Sequence, residues 1–175
     1  MKEKKMTLRT HRVDFEYDKK LFGKSTDVRI YHNAIMISPG KHTDSITMAP
    51  VEYTPEVLSA TTQNVRSNYL NLDHSHETLK RVGRFVNPYW DGEHVRADLY
   101  IYPVTQNSRD TIELIDSGMV NWLSVELLTE DEWTPENEIR VKDLDYIGLA
   151  VVTAPACRQS LIDDLGERPA SWMYE

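Results

Sequence analysis

The chain has 175 residues, of which 40% are apolar and 27% are charged, and its formal net charge is −8. This length predicts one domain with a sizeable core, and the composition excludes a wholly disordered chain. No apolar run approaches the ~20 residues that span a bilayer, and the basic N-terminus lacks the apolar segment of a secretory signal. The acidic balance argues against nucleic-acid binding, because phosphate contacts need a concentrated basic surface.

Three segments are predicted from composition. Residues 1–26 are polar and rich in lysine, which predicts a mobile or edge-packed N-terminal arm. The predicted domain covers residues 27–166, and residues 167–175 form a predicted C-terminal tail. The single cysteine, Cys157, allows no intrachain disulfide and suits a reducing compartment.

The predicted domain begins with a half-buried strand over 28–37, where apolar residues recur at alternate positions. A loop over 38–45, indicated by Pro-Gly and small polar residues, and a short strand over 46–48 follow. The sequence Thr54-Pro55-Glu56 predicts the start of a helix, because threonine caps, proline suits the first turn and an acid favours the positive end of the dipole.

Three strands are predicted next, over 69–74, 82–90 and 93–102. The last of them alternates strictly between apolar and polar residues, and Asp91-Gly92 predicts a hairpin turn before it.

The second half of the domain starts with a helix capped by Asn107 or Ser108 and closed by Gly118. Strands over 120–128 and 139–152 and a short helix over 158–165 complete the prediction. Hairpin-linked strands with inserted helices predict an α+β fold, namely a mainly antiparallel β-barrel or curled sheet with flanking helices.

Two short motifs could carry chemistry. If the strand stays extended through residue 76, His74 and His76 point the same way, as a general base or as part of a metal site. His94, Asp98 or Asp145 could then supply a third ligand, and a surface turn is the alternative interpretation. Ser124 lies mid-strand among apolar residues, where it serves either as a small filler or as a nucleophile.

Several motifs in a fixed order carry a resemblance to a known family. They are Asp73-His74, Val82-Gly83-Arg84, Asp91-Gly92, Ile115-Asp116-Ser117-Gly118, Trp122-Leu123-Ser124 and the apolar run over 147–156. In this order and spacing the chain resembles the prohead maturation proteases of tailed phages, whose fold is related to the herpesvirus assemblins. The resemblance covers about residues 28–165.

The resemblance implies a serine protease with an assemblin-like fold. Ser124 would be the nucleophile and His74 the base, with His76 as the alternative. The acid that orients the base would be Asp145, or Asp143, on the last predicted strand. Arg158 would support the oxyanion. No cofactor and no metal are implied.

The same resemblance implies a place in virus assembly. The partners would be the viral scaffold and the major capsid protein, which the protease trims before it cuts itself. A homo-oligomer, such as a dimer, is expected in the procapsid within the host cytoplasm, without nucleic-acid or membrane partners. The alternatives are a non-catalytic assembly module on the same fold and a metal-dependent hydrolase that uses His74 and His76.

Overall fold

Strands dominate the part of the chain that the computed structural model describes, which is residues 6–14, 28–44, 46–120 and 122–152, with the backbone alone at 12 and 14. The strands are β1 (Thr7–Asp14), β2 (Arg29–Ile37), β3 (Gly40–Thr43), β4 (Pro50–Tyr53), β5 (Val65–Leu72), β6 (Arg81–Trp90), β7 (Val95–Ile101), β8 (Trp122–Trp133) and β9 (Ile139–Val152). The helices are α1 (Pro55–Ala60), α2 (Gln106–Asp116) and a 3-10 turn (Thr78–Lys80).

The nine strands form one sheet in the order β1-β8-β9-β5-β6-β7-β2, to which the β3–β4 hairpin is attached through β9. The pairs β4–β9 and β5–β9 are parallel, and the other pairs are antiparallel. The sheet curls into a half-barrel accompanied by the helices. The predicted α+β class with a mainly antiparallel curled sheet is therefore confirmed.

The core lies on the inner face of the curled sheet. Strand β7 illustrates this arrangement, because its alternate residues face the core. Val95, Ala97, Leu99 and Ile101 are fully buried, whereas the residues between them are only partly covered. Strands β6 and β7 approach closely at Gly83, where a Cβ atom would meet the backbone oxygen of Tyr100 at 1.8 Å. Only glycine allows β6 and β7 to approach in this way.

Both helices begin at threonine caps. Thr54 accepts a hydrogen bond from the backbone of Val57, as the sequence predicts. Helix α2 is capped by Thr105 rather than by Asn107 or Ser108, and Ser108 supplies the reciprocal bond of a capping box. Neither helix in the described ranges is long and apolar enough to cross a membrane.

The segment before α1 differs from the prediction. The strand expected over 46–48 is wrong, because these residues form a turn in which Met48 has φ 60°. Strands β3 and β4 lie on either side of that turn and pair with each other. The Pro-Gly signal before Lys41 therefore marks the start of a hairpin strand and not an extended loop.

Part of the predicted N-terminal arm forms the edge strand β1, which pairs along β8. The buried guanidinium of Arg9 donates to Asp44 at 2.8 Å and to Asp131 at 2.7 Å. These ion pairs fasten β1 to the turn after β3 and to β8. The predicted helix over 158–165 and the tail over 167–175 lie outside the described residues.

Candidate active site

Strand β8 carries two polar side chains on the face opposite the core. Leu123, Val125 and Leu127 are fully buried in the core, so the alternation of a strand turns Ser124 and Glu126 to the other face. Both polar residues are nevertheless buried, at 3% and 6% exposure. Buried polar groups need hydrogen-bond partners, which implies that something specific holds them.

His74 provides that partner from a tight turn and not from a strand. Strand β5 ends at Leu72, and Asp73 and His74 follow with φ 47° and φ 58°. The backbone N–H of Ser75 donates to the carbonyl of Leu72 at 2.9 Å, and the N–H of Asp73 donates to Val151 at 3.0 Å. Two positive φ values across a four-residue turn match a type I′ turn.

This turn corrects the strand predicted over 69–74, which ends at Leu72 and does not include His74. The turn, and not the period of the strand, brings the imidazole over β8. Left-handed backbone at two successive non-glycine residues is uncommon and concentrates at functional positions.

The three side chains form a hydrogen-bonded chain. The Oγ atom of Ser124 lies 2.8 Å from Nε2 of His74, and Nδ1 of His74 lies 2.5 Å from Oε1 of Glu126. A carboxylate only accepts, so Nδ1–H donates to Glu126, and Nε2 is left to accept from the serine hydroxyl. This is the order nucleophile, base and orienting acid that acyl transfer requires. The imidazole is 25% exposed, so a substrate can reach this point of the site.

Gly148 makes room for the acid. It lies opposite Glu126 in the β8–β9 pairing, and a Cβ atom at this position would meet Oε2 of Glu126 at 3.2 Å and its carboxyl carbon at 3.6 Å. The first of these contacts is tighter than side chains ordinarily make. The glycine therefore leaves the space in which the carboxylate turns toward His74.

Comparisons with known proteins were made for the sequence and for the fold. No protein-family model matches the sequence, and no curated protein matches it. The fold matches the bacteriophage T4 capsid assembly protease gp21, with a TM-score of 0.61 and 10% identity, over 86% of this chain and 99% of that chain. The two proteins share a fold. The resemblance to the phage prohead proteases that the sequence indicates is thus confirmed at the level of the fold.

The other predicted site residues lie elsewhere. Asp145 accepts a hydrogen bond from Nε of Arg66 at 2.5 Å, and Asp143 receives the backbone N–H of Leu144 at 3.0 Å. Neither aspartate is hydrogen-bonded to His74, and the carboxylate beside this histidine is that of Glu126. His76 is exposed, and Arg158 lies outside the described residues.

The residues considered for a metal site also have other partners. His94 is hydrogen-bonded to Ser38 at 2.8 Å, and Asp98 receives the backbone N–H of Asn33 at 3.0 Å. Across the described ranges, no group of three or more His, Cys, Asp or Glu side chains is arranged to hold a metal ion.

Sequence reasoning missed Glu126, although a signal was present. Ser124 and Glu126 are two residues apart on one predicted strand, so a common face follows from the alternation alone. The sequence could not show that the turn after β5 delivers a histidine to that face.

A buried histidine, His11, was also missed. It is fully buried on β1, where Nδ1–H donates to the carbonyl of Thr43 at 3.0 Å and Nε2 accepts from the hydroxyl of Tyr53 at 2.5 Å. Burial lowers the pKa of His11 to about 4, so the ring is neutral at pH 7. It therefore joins β1 to the β3–β4 hairpin as a structural group.

Proposed function

We propose that this protein is a serine endopeptidase that trims scaffold or capsid protein during viral prohead maturation. The observation that carries the proposal is the chain of two hydrogen bonds from Ser124 through His74 to Glu126. The shared fold with the T4 capsid assembly protease gp21 supports the biological setting.

The proposed reaction is acyl transfer. Nε2 of His74 takes the proton of Ser124 as Oγ attacks the peptide carbonyl, and returns it to the amine as the C–N bond breaks. Water, deprotonated by the same nitrogen, then releases the acyl group from Ser124. Glu126 holds the imidazole with Nδ1 protonated and stabilises the imidazolium that forms in each step.

Two other functions receive less support from the site. A metal-dependent hydrolase would need a free nitrogen on His74, but both ring nitrogens already have protein partners. A non-catalytic assembly module would leave Ser124 as a filler. The hydroxyl is instead hydrogen-bonded to an imidazole that Glu126 orients, an arrangement that a filler does not require.

The proposal extends to partners and location. The substrates are the viral scaffold and the major capsid protein, and the protease also cuts itself. It acts as a homo-oligomer within the procapsid in the host cytoplasm. Packaging a protease with its substrates would confine cleavage to the assembled shell.

The deciding experiment is co-expression of the wild type, Ser124→Ala or Ser59→Ala with the scaffold or capsid protein encoded beside it. Ser59 is an exposed serine on α1, so its variant controls for loss of a hydroxyl. Intact mass should show shortened products with the wild type and Ser59→Ala only. The expected loss in rate for Ser124→Ala is on the order of 10⁴–10⁶.

The melting temperature should separate chemistry from folding. Ser124→Ala deletes one oxygen and should shift the melting temperature by only a few degrees, about what one hydrogen bond contributes. Processing by a folded Ser124→Ala variant would refute the mechanism.

A further inference from the structure

The face of the sheet that carries Ser124 and Glu126 continues across the neighbouring strands, which are β9, β5, β6 and β7. Pairing runs from Ser124 to Ala150, Asn71 and Arg81 in one row. In the next row it runs from Glu126 to Gly148, Tyr69, Arg84 and Tyr100. Paired residues share a face, so the side chains of Ser124, Glu126 and the two arginines lie on the same side of the sheet.

The members of these rows on β9 are small. Gly148 and Ala150 lie between the catalytic strand and β5, so no bulky side chain of β9 rises between them at this point. The arginines are three strands from β8, which is about 14 Å at the usual strand spacing of roughly 4.8 Å. An extended peptide covers that distance in about four residues.

Aromatic rings hold both arginines in place. The guanidinium of Arg81 lies 3.4 Å from the ring centroid of Tyr69, a stacking distance. Arg84 lies 5.8 Å from the ring centroids of both Tyr100 and Tyr102. A guanidinium stacked on an aromatic face keeps its N–H edge free for a carboxylate and loses less freedom when it binds one.

The charges of these arginines are not neutralised by described residues. Both side chains are exposed, and neither forms an ion pair with a carboxylate in the described ranges. Arg66 on β5 differs, because it is paired with Asp145. In a chain of net charge −8, two adjacent cations without acidic partners are a local exception.

We propose that this arginine–tyrosine surface (Tyr69, Arg81, Arg84, Tyr100 and Tyr102) binds an acidic segment of the polypeptide to be cleaved, about four residues from the scissile bond. The inference rests on the proposed function for its substrate, but the surface itself can be tested without catalysis. Carboxylates in the segment would pair with the fixed guanidinium edges, and the apolar parts of the segment would pack on the tyrosine rings. The surface would thus select among segments and hold the chain across the site.

Binding should be measured with the full chain carrying Ser124→Ala, so that no probe is cut. The probe is a fluorescein-labelled peptide of ten glutamates, followed by anisotropy at low salt. Adding Arg81→Gln and Arg84→Gln should weaken binding about tenfold, because each exposed arginine–carboxylate pair contributes a factor of roughly three to five. Arg109→Gln, on α2, removes one positive charge, so it is the control for net charge beside each single arginine variant, and it should leave binding unchanged.

Two results would overturn the proposal. One is decaglutamate binding that Arg81→Gln and Arg84→Gln do not weaken, or no binding at all. The other is equally tight, equally arginine-dependent binding of a single-stranded ten-thymidine oligonucleotide, which would make the surface a general polyanion site. Failure of the proposed protease function would appear separately, as unchanged processing by Ser124→Ala in the co-expression experiment.

Discussion

Two histidines lie on opposite sides of β8 and are used differently. His11 packs on the core side, on the neighbouring strand opposite Val125, and it is fully buried. His74 lies over the other face and is 25% exposed. Each ring has a protein partner at both nitrogens, so the number of hydrogen bonds does not distinguish them.

The two imidazole rings differ in their hydrogen-bond partners and in their access to solvent. His11 binds a backbone carbonyl and a buried phenol, and its role is to join strands. His74 binds a serine hydroxyl and a carboxylate at a point that a substrate can reach. The comparison separates a ring placed to join strands from a ring placed as a base requires, beside a hydroxyl and with one edge open to solvent.

The acid beside His74 allows the sharpest test of this contrast. Glu126→Gln should lower the cleavage rate by about 10²–10⁴, because an amide at this position favours the wrong imidazole tautomer and cannot stabilise the imidazolium. Asp145→Asn is the matched control, since its carboxylate is paired with Arg66 and not with His74. The measurement is the rate of product formation by intact mass over time.

The cleavage rates of the two variants show together which carboxylate orients His74. Loss of activity in Asp145→Asn with full activity in Glu126→Gln would reverse the assignment made from the geometry. Both variants should fold, because each exchange keeps the size of the side chain.

Most of the fold followed from local pattern. The strict alternation of β7 and the Asp91-Gly92 turn before it depend only on neighbours in sequence, and both helices start within three residues of the predicted caps. The turn that contains Met48 could not be predicted in this way, because a turn flanked by two short strands has no clear hydrophobic period.

The site was harder to predict than the fold, for a geometric reason. The predicted strand over 69–74 runs through His74, whereas β5 ends at Leu72 and the left-handed residues Asp73 and His74 form a turn. Asp145 was preferred because its strand was expected to approach the base. The register places Asp145 opposite Leu128, while Glu126 lies opposite Gly148. Register between distant strands is set by tertiary pairing, which a single sequence does not display.

Gly148 should matter through the carboxylate that it accommodates. Gly148→Ala is expected to lower kcat by about ten- to a hundredfold, because a shift of Glu126 by a few tenths of an ångström misaligns His74. KM should change little, since the new methyl group presses on the acid. Steady-state kinetics on a peptide taken from the mapped cleavage site would measure both constants.

A paired variant would identify the cause. Glu126→Asp withdraws the carboxylate by one methylene. Adding Gly148→Ala to this variant should therefore lower kcat much less than adding it to the wild type. Equal losses in both backgrounds, or an unchanged kcat in Gly148→Ala alone, would show that the glycine does not position the acid.

The smallest effect on cleavage and a clear effect on stability are expected at His11. Burial holds its pKa at about 4 in the folded state, against an ordinary value of 6.5. As the pH falls below 6.5 the unfolded chain takes up the proton first, so the free energy of unfolding should decrease until the pH passes about 4. The full decrease from this group is about 3 kcal/mol.

Urea unfolding at pH 7, 5.5 and 4.5 would measure this loss in the wild type, in His11→Gln and in His76→Gln. His11→Gln should be less stable at pH 7, because Tyr53 and Thr43 lose their ring partner, and its stability should fall less steeply with acid. His76 is exposed, so His76→Gln should follow the wild type. If His11→Gln kept the full acid dependence, another group would be responsible. If it lost cleavage at pH 7 while remaining folded, the separation of the two histidines into structural and catalytic roles would fail.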